Sequence, residues 1–254
     1  MSVKTTIIVA DWDRYPLFRE KTVGNRSIKC GMRPLLNGIK TRREDSDFEV
    51  LLVVNTESAD IEKVRQKYSS LLNDFKFISN IHIRGNYAMD IGAYDYGYKI
   101  CLQNNFRGRI MFINSSVCGP HSDNWLHKYE ELFQSIPRIG LSGATVNMIP
   151  ARGSGTSTLE HVQSWLLYSD MGILKNCFGD SLLSDSASFR TKNDVIYYGE
   201  IAISQKIINK GYGINCMAFP ELCFFKGESW SYPFQLGWRS HNKELQCFMN
   251  TTIV

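Results

Sequence analysis

Four short polar clusters, each following an apolar run, hold the side chains of this chain best suited to chemistry. Residues 109–120 read RIMFINSSVCGP: residues 110–113 are apolar, and the sequence turns polar at Asn114, Ser115 and Ser116 before Gly119-Pro120 breaks the backbone. Asp11 and Asp13 follow TTIIVA, Asn55 follows FEVLLVV, and Arg84, Asn86 and Asp90 follow the run that ends at Ile83. Amides and carboxylates can hydrogen-bond a base and a ribose, and an arginine can neutralise phosphate. The Asn-Ser-Ser triplet equally suits a turn that merely closes a strand. Repetition favours a binding edge, because ligands of open α/β sheets collect just past the carboxyl ends of the strands. Neither G-x-x-x-x-G-K-[ST] nor G-x-G-x-x-G occurs, which excludes the ordinary P-loop and dinucleotide sites and leaves a nucleotide-sugar site open.

The elements that must carry these tips follow from hydrophobic period. Apolar, β-branched runs predict strands over residues 5–10, 48–54, 77–83, 110–113 and 139–146. Helical spacing predicts helices over 59–72, 91–102, 125–133 and 201–209, with Gly92 and Gly97 weakening the second. Between the first two strands, Gly24, Asn25, Gly31, Pro34, Asn37 and Gly38 predict a loop with at most a short helix around Phe18. Residues 150–158 read as a Gly/Ser loop, either lid or mobile, and the serine-rich residues 179–193 as a second mobile connection. Successive strand-loop-helix units imply an α/β protein with a mostly parallel central sheet flanked by helices. The absence of repeats and linkers makes residues 1–254 one expected domain.

Composition sets the class. The 254 residues are 43% hydrophobic and 21% charged, as in a folded globular protein. No apolar run approaches the ~20 residues of a transmembrane helix, and the amino-terminal run is too short for a leader, which predicts a cytoplasmic protein. Seven cysteines without a C-x-x-C pair argue for reduced thiols rather than a disulfide framework or zinc ribbon. A net charge of +4, with one basic cluster at Lys40, Arg42 and Arg43 followed by Glu44 and Asp45, argues against nucleic acid as a partner.

TTIIVADWDRY, FEVLLVVNTES, RGNYAMDIGAYDYGYK, FINSSVCGP, EHVQSWLLYSD and YYGEIAISQKIINKGYGI together resemble GT-A glycosyltransferases, most closely the rhamnan synthesis protein F type. The resemblance covers about residues 5–214. Its most specific pieces are N-x-x-x-D-I-G-A-Y at 86–94 and N-S-S-V-x-G-P at 114–120. It implies a Rossmann-like GT-A fold and transfer of a sugar from a nucleoside-diphosphate donor to a glycan acceptor, with inversion, in polysaccharide synthesis. Peripheral association with a membrane is compatible with it. The first strand tip and Asn55 would meet base and ribose. Asn114, Ser115 and Ser116 would stand where many relatives carry Asp-x-Asp, which binds Mn2+ or Mg2+ and the diphosphate.

This chain departs from the family at that triplet, where neutral Asn and Ser suit a hard cation poorly. Asp90 could add a carboxylate and His241 a distal ligand; otherwise Arg84 or lysines would replace the ion's charge. Glu200, read as opening the helix after Tyr197-Tyr198-Gly199, falls where similar inverting enzymes carry the general base; a first-turn glutamate is also favoured by the helix dipole alone. Asp170 is the reserve for that role, and Asp180 and Asp185 read as solvated. His161, Gln163, Ser164 and Trp165 could line an acceptor side, though Trp165 equally suits a core. Two other readings stay open: a catalytically silent module that binds glycan or nucleotide, and a hydrolytic or nucleotidyl-transfer enzyme on the same sheet.

Overall fold

The computed structural model describes residues 4–150, 158–184, 188–228 and 252–253. The first half comprises β1 (Thr5–Trp12), β2 (Arg19–Val23), β3 (Arg26–Cys30), α1 (Met32–Thr41), β4 (Phe48–Thr56), α2 (Ile61–Asp74), β5 (Ile78–Gly85) and α3 (Met89–Gln103). Then come β6 (Arg109–Asn114), α4 (Trp125–Gln134), β7 (Ile139–Gly143), β8 (Val146–Pro150), β9 (Thr158–Val162), β10 (Leu166–Asp170) and α5 (Met171–Phe178). A long helix follows as α6 (Lys192–Val195), a π-helical segment (Ile196–Ile201) and α7 (Ala202–Asn209), and β11 (Gly213–Cys216) and β12 (Phe219–Phe224) end the set.

Eight strands form one sheet in the order β12-β11-β7-β10-β6-β1-β4-β5. β5, β4, β1 and β6 run parallel, and β10 lies antiparallel between β6 and β7. The chain moves from β1 to β4 and β5 on one side and then to β6 on the other, so strand order reverses between β1 and β6. β1 is buried on both faces, as a covered parallel strand must be. Ile7 and Val9 join Leu35, Tyr68 and Trp125 beneath α1, α2 and α4, while Ile8 and Ala10 join Tyr94, Leu174 and Ile207 beneath α3, α5 and α7.

Gly92 and Gly97, which weaken helix propensity, are what let α3 approach. A Cβ on Gly97 would stand 2.7 Å from the Ile8 side chain, and one on Gly92 would stand 2.0 Å from the Tyr87 carbonyl oxygen.

Residues 14–47 depart from the loop expectation. β2 and β3 pair as an antiparallel hairpin, Arg19 opposite Cys30 and Lys21 opposite Ile28. No helix forms at Phe18, which sits in a bend; the helix is α1, which buries Met32, Leu35, Leu36 and Ile39 at spacings of three and four. Pro34 does not break it, because the first turn needs no N–H from that position. The single strand expected over 139–146 is two strands, β7 and β8, either side of Ala144-Thr145. Part of the serine-rich connection is anchored: Asp95 Oδ1 accepts from Ser181 Oγ at 2.9 Å and from Leu182 N at 2.7 Å. Among the described residues, no helix is long and apolar enough to cross a membrane.

Candidate functional site

The tips of β1 and β6 lie side by side where strand order reverses, and hydrogen bonds tie them together. Asp11 is 4% exposed; one carboxylate oxygen accepts from Ser115 Oγ and the other from Tyr68 OH at 2.7 Å. Burial pushes its pKa up, against the pull of those two bonds. Asp11 therefore faces inward and fixes Ser115. Asp13 is half-buried, and its Oδ1 has no hydrogen-bond partner; the same is true of Trp12 Nε1 and Arg19 Nε. Buried polar atoms without partners call for an explanation, and a bound polar molecule supplies one.

The β2–β3 hairpin closes on the triplet. Arg19 Nη2 donates to Ser115 Oγ at 3.1 Å, and Lys21 Nζ donates to the Ser116 carbonyl at 3.2 Å. Arg19 and Lys21 occupy the half-buried side of β2, with Glu20 and Thr22 on the exposed side. The loop expectation missed both cations. The signal that could have found them is the polar/apolar alternation either side of Gly24-Asn25, a hairpin pattern.

Asn55, 3% exposed, accepts from Arg84 Nη1 at 2.6 Å and donates to the Met89 carbonyl at 2.9 Å. Arg84 Nη2 donates to the Tyr87 carbonyl at 2.9 Å. The turn they clamp contains Ala88 and Met89, left-handed at φ 57° and 49°, a conformation that costs roughly 1 kcal/mol or more for a non-glycine residue. It delivers Asp90 to the first turn of α3. Asn86 Nδ2 donates to Glu57 Oε1 at 3.0 Å. Asp90 Oδ2 accepts from Asn114 Nδ2 at 3.3 Å, and Asn114 Oδ1 accepts from Ser116 Oγ at 2.5 Å. Burial raises the Asp90 pKa to about 6; the Asn114 bond opposes this and the nearby Glu200 charge adds to it.

Glu200 does not open a helix. The helix begins after Thr191, whose side chain caps it, and Glu200 lies in the π-helical segment beyond the first turn, out of reach of the dipole. Its charge has another source. Oε2 accepts from Ser164 N at 2.6 Å, and Oε1 lies 3.5 Å from His161 Nε2. Burial alone would raise its pKa, but the His161 ring and the Ser164 N–H outweigh that and hold it below the usual carboxylate value. Gly199 packs on Ile91, where a Cβ would meet the side chain at 3.0 Å, and this brings Glu200 up to the start of α3 beside Asp90.

Of the four residues expected on an acceptor side, His161 and Ser164 hold Glu200, while Gln163 and Trp165 are buried against Thr145, at 2.8 Å and 3.2 Å. His161 is 1% exposed, and its Nδ1 faces the Leu159 carbonyl at 2.9 Å. Ser164 is half-buried, and its carbonyl also accepts from Tyr94 OH at 3.0 Å. Asp170 stands at the opposite end of the sheet, paired with Arg109 at 2.8 Å and capping α5, so it cannot share this site. Asp180 lies near Tyr98, whose pKa its charge helps to raise. Asp185, His241 and residues 151–157 lie outside the described residues.

No protein-family model matches the chain, and no curated protein matches its sequence. Among solved structures it is similar to the mannosyltransferase PcManGT from Pyrobaculum calidifontis in complex with GDP-Man and Mn2+, at TM-score 0.54 and 10% identity, covering 96% of this chain and 61% of that one. The chain has a GT-A fold. 4-Diphosphocytidyl-2C-methyl-D-erythritol synthase from Anaerococcus prevotii is more distant, at TM-score 0.46 and 11% identity over 96% of this chain and 99% of that one. So is mouse xyloside xylosyltransferase 1, at 0.40 and 13% over 98% and 93%. The chain spans 61% of the length of the mannosyltransferase.

That GT-A mannosyltransferase holds Mn2+. The donors of the triplet do not fit a divalent ion. The Asn114 amide is spent on Asp90 and Ser116, Ser115 Oγ is spent on Asp11, and the triplet itself contributes no carboxylate. Among the described residues no three His, Cys, Asp or Glu side chains come together to hold a metal.

Proposed function

We propose that this chain is an inverting glycosyltransferase that moves a sugar from a nucleoside-diphosphate donor to a carbohydrate acceptor, in the glycan synthesis to which rhamnan synthesis F proteins belong. One observation carries the reading: Glu200 stands beside Asp90 at the carboxyl edge of the sheet, its carboxylate held by the Ser164 N–H at 2.6 Å and lying 3.5 Å from His161 Nε2. A carboxylate oriented in this way can take a proton from an attacking hydroxyl.

In this reading Glu200 is the general base. The acceptor oxygen attacks the anomeric carbon from the face opposite the diphosphate and gives its proton to the Glu200 carboxylate. The anomeric C–O bond breaks, and its electron pair leaves on the nucleoside diphosphate. Asp90 and Asn114 bond hydroxyls of the donor sugar. Asp13 and the exposed Tyr15 ring meet ribose and base, with Asn86, Ser115 and Ser116 completing the donor side. Asp11, Asn55 and Arg84 position these groups. Six described cysteines are all free thiols, which supports a cytoplasmic setting, and peripheral contact with a membrane-bound acceptor is compatible with the lack of a spanning helix among the described residues.

The test is release of nucleoside diphosphate from a panel of nucleotide sugars, with and without oligosaccharide acceptors. Acceptor-dependent release supports the reading. Donor binding without release or transfer replaces it with a silent binding module, which the carboxylate-free triplet favours.

A further inference from the structure

We propose that Arg19 and Lys21 form a cationic seat for the donor diphosphate and supply the positive charge for which the neutral triplet cannot hold an ion. The inference rests on the nucleotide-sugar reading above. The hairpin lays both cations on Ser115 and Ser116, at 3.1 Å and 3.2 Å, beside the reversal of strand order where a ligand of this fold class docks. Neither forms an ion pair among the described residues. Asp11, which shares Ser115 Oγ with Arg19, is buried and already bonded twice.

Two half-buried cations side by side repel one another and lose solvation, so their arrangement is costly unless an anion joins them. Arg19 is also held in place to meet an anion, since its guanidinium lies 4.3 Å from the centre of the Tyr15 ring and its Nε is buried without a partner. Arg84, the other candidate for phosphate, is spent on Asn55 and on the Tyr87 carbonyl. When the anomeric bond breaks, negative charge builds on the diphosphate. Cations fixed beforehand at that place stabilise the transition state more than the bound donor.

Calorimetric binding in chelator, with inorganic pyrophosphate and with UDP, GDP, ADP, CDP and dTDP as probes, tests this. The wild type should bind pyrophosphate and at least one nucleotide. K21M keeps the aliphatic stem and loses only the charge and the bond to the Ser116 carbonyl. It and R19Q should each weaken both kinds of probe about tenfold or more, with K21R restoring most of the loss and melting temperatures showing that the variants fold. Nucleotide binding that is unchanged in K21M and R19Q, or that appears only when Mn2+ is added, overturns the cationic seat and leaves the nucleotide-sugar reading standing. A wild type that binds none of the probes, with or without Mn2+, overturns both.

Discussion

Asp90 and Glu200 show how neighbours, rather than residue type, set the work a carboxyl group can do. Glu200 is held ionised by the His161 ring and the Ser164 N–H, and Asp90 is raised first by burial and then by the Glu200 charge. The folded-state pKa of Asp90, about 6, lies above its ordinary 3.8, so the protonated form favours folding; that stabilisation is full below 3.8 and is lost as pH rises through 6. Asp90→Asn keeps an acceptor for the Asn114 amide and does not titrate. Its unfolding free energy should match the wild type near pH 3.5 and exceed it above pH 7, by an amount on the order of 1–3 kcal/mol. Equal pH dependence in both proteins would show that Asp90 has an ordinary pKa. Asp170 is the contrasting carboxylate. Asp170→Ala removes a helix cap and leaves Arg109 without its partner, so it should lower stability by about 1–3 kcal/mol while turnover per folded molecule stays at the wild-type rate. A turnover loss of a hundredfold or more would return it to the catalytic candidates.

At the scale of elements, the four parallel strands and the polar tips of β1, β4, β5 and β6 were legible, because a buried parallel strand writes itself as a continuous apolar run. The hairpin was not. Arg19, Lys21, Ile28 and Cys30 share its inner side, but two cations on a half-buried face look like solvated charge unless both strands are read together. Glu200 was legible as a residue and misplaced as an element: the helix starts at Lys192, and nothing in hydrophobic period announces a π-helical segment. The glycines of α3 weaken its helix propensity and serve as close contacts. Gly97→Ala should therefore destabilise despite the better helix former, since the new Cβ would press on Ile8. Overpacking of this kind costs about 1–3 kcal/mol, or roughly 2–10 °C in melting temperature. An unchanged or raised melting temperature would mean that α3 can move away from β1.

Across the whole molecule, one reversal of strand order brings together side chains distant in the chain: Asp11 with Ser115, and Asp90 with Asn114 and near Glu200. The sequence tells which tips are polar; that these tips share one edge follows from the parallel pairing of β1 with both β4 and β6. The positions of Asp170 and of the buried His161, Gln163 and Trp165 depend on β10 running antiparallel, which no local pattern specifies. The most direct test of the account is transfer by Glu200→Gln, which keeps size and loses basicity, assayed with the donor and acceptor that the wild type uses. The account predicts turnover lower by ~10²–10⁴-fold with donor affinity within about twofold of wild type; turnover near the wild-type rate would contradict it.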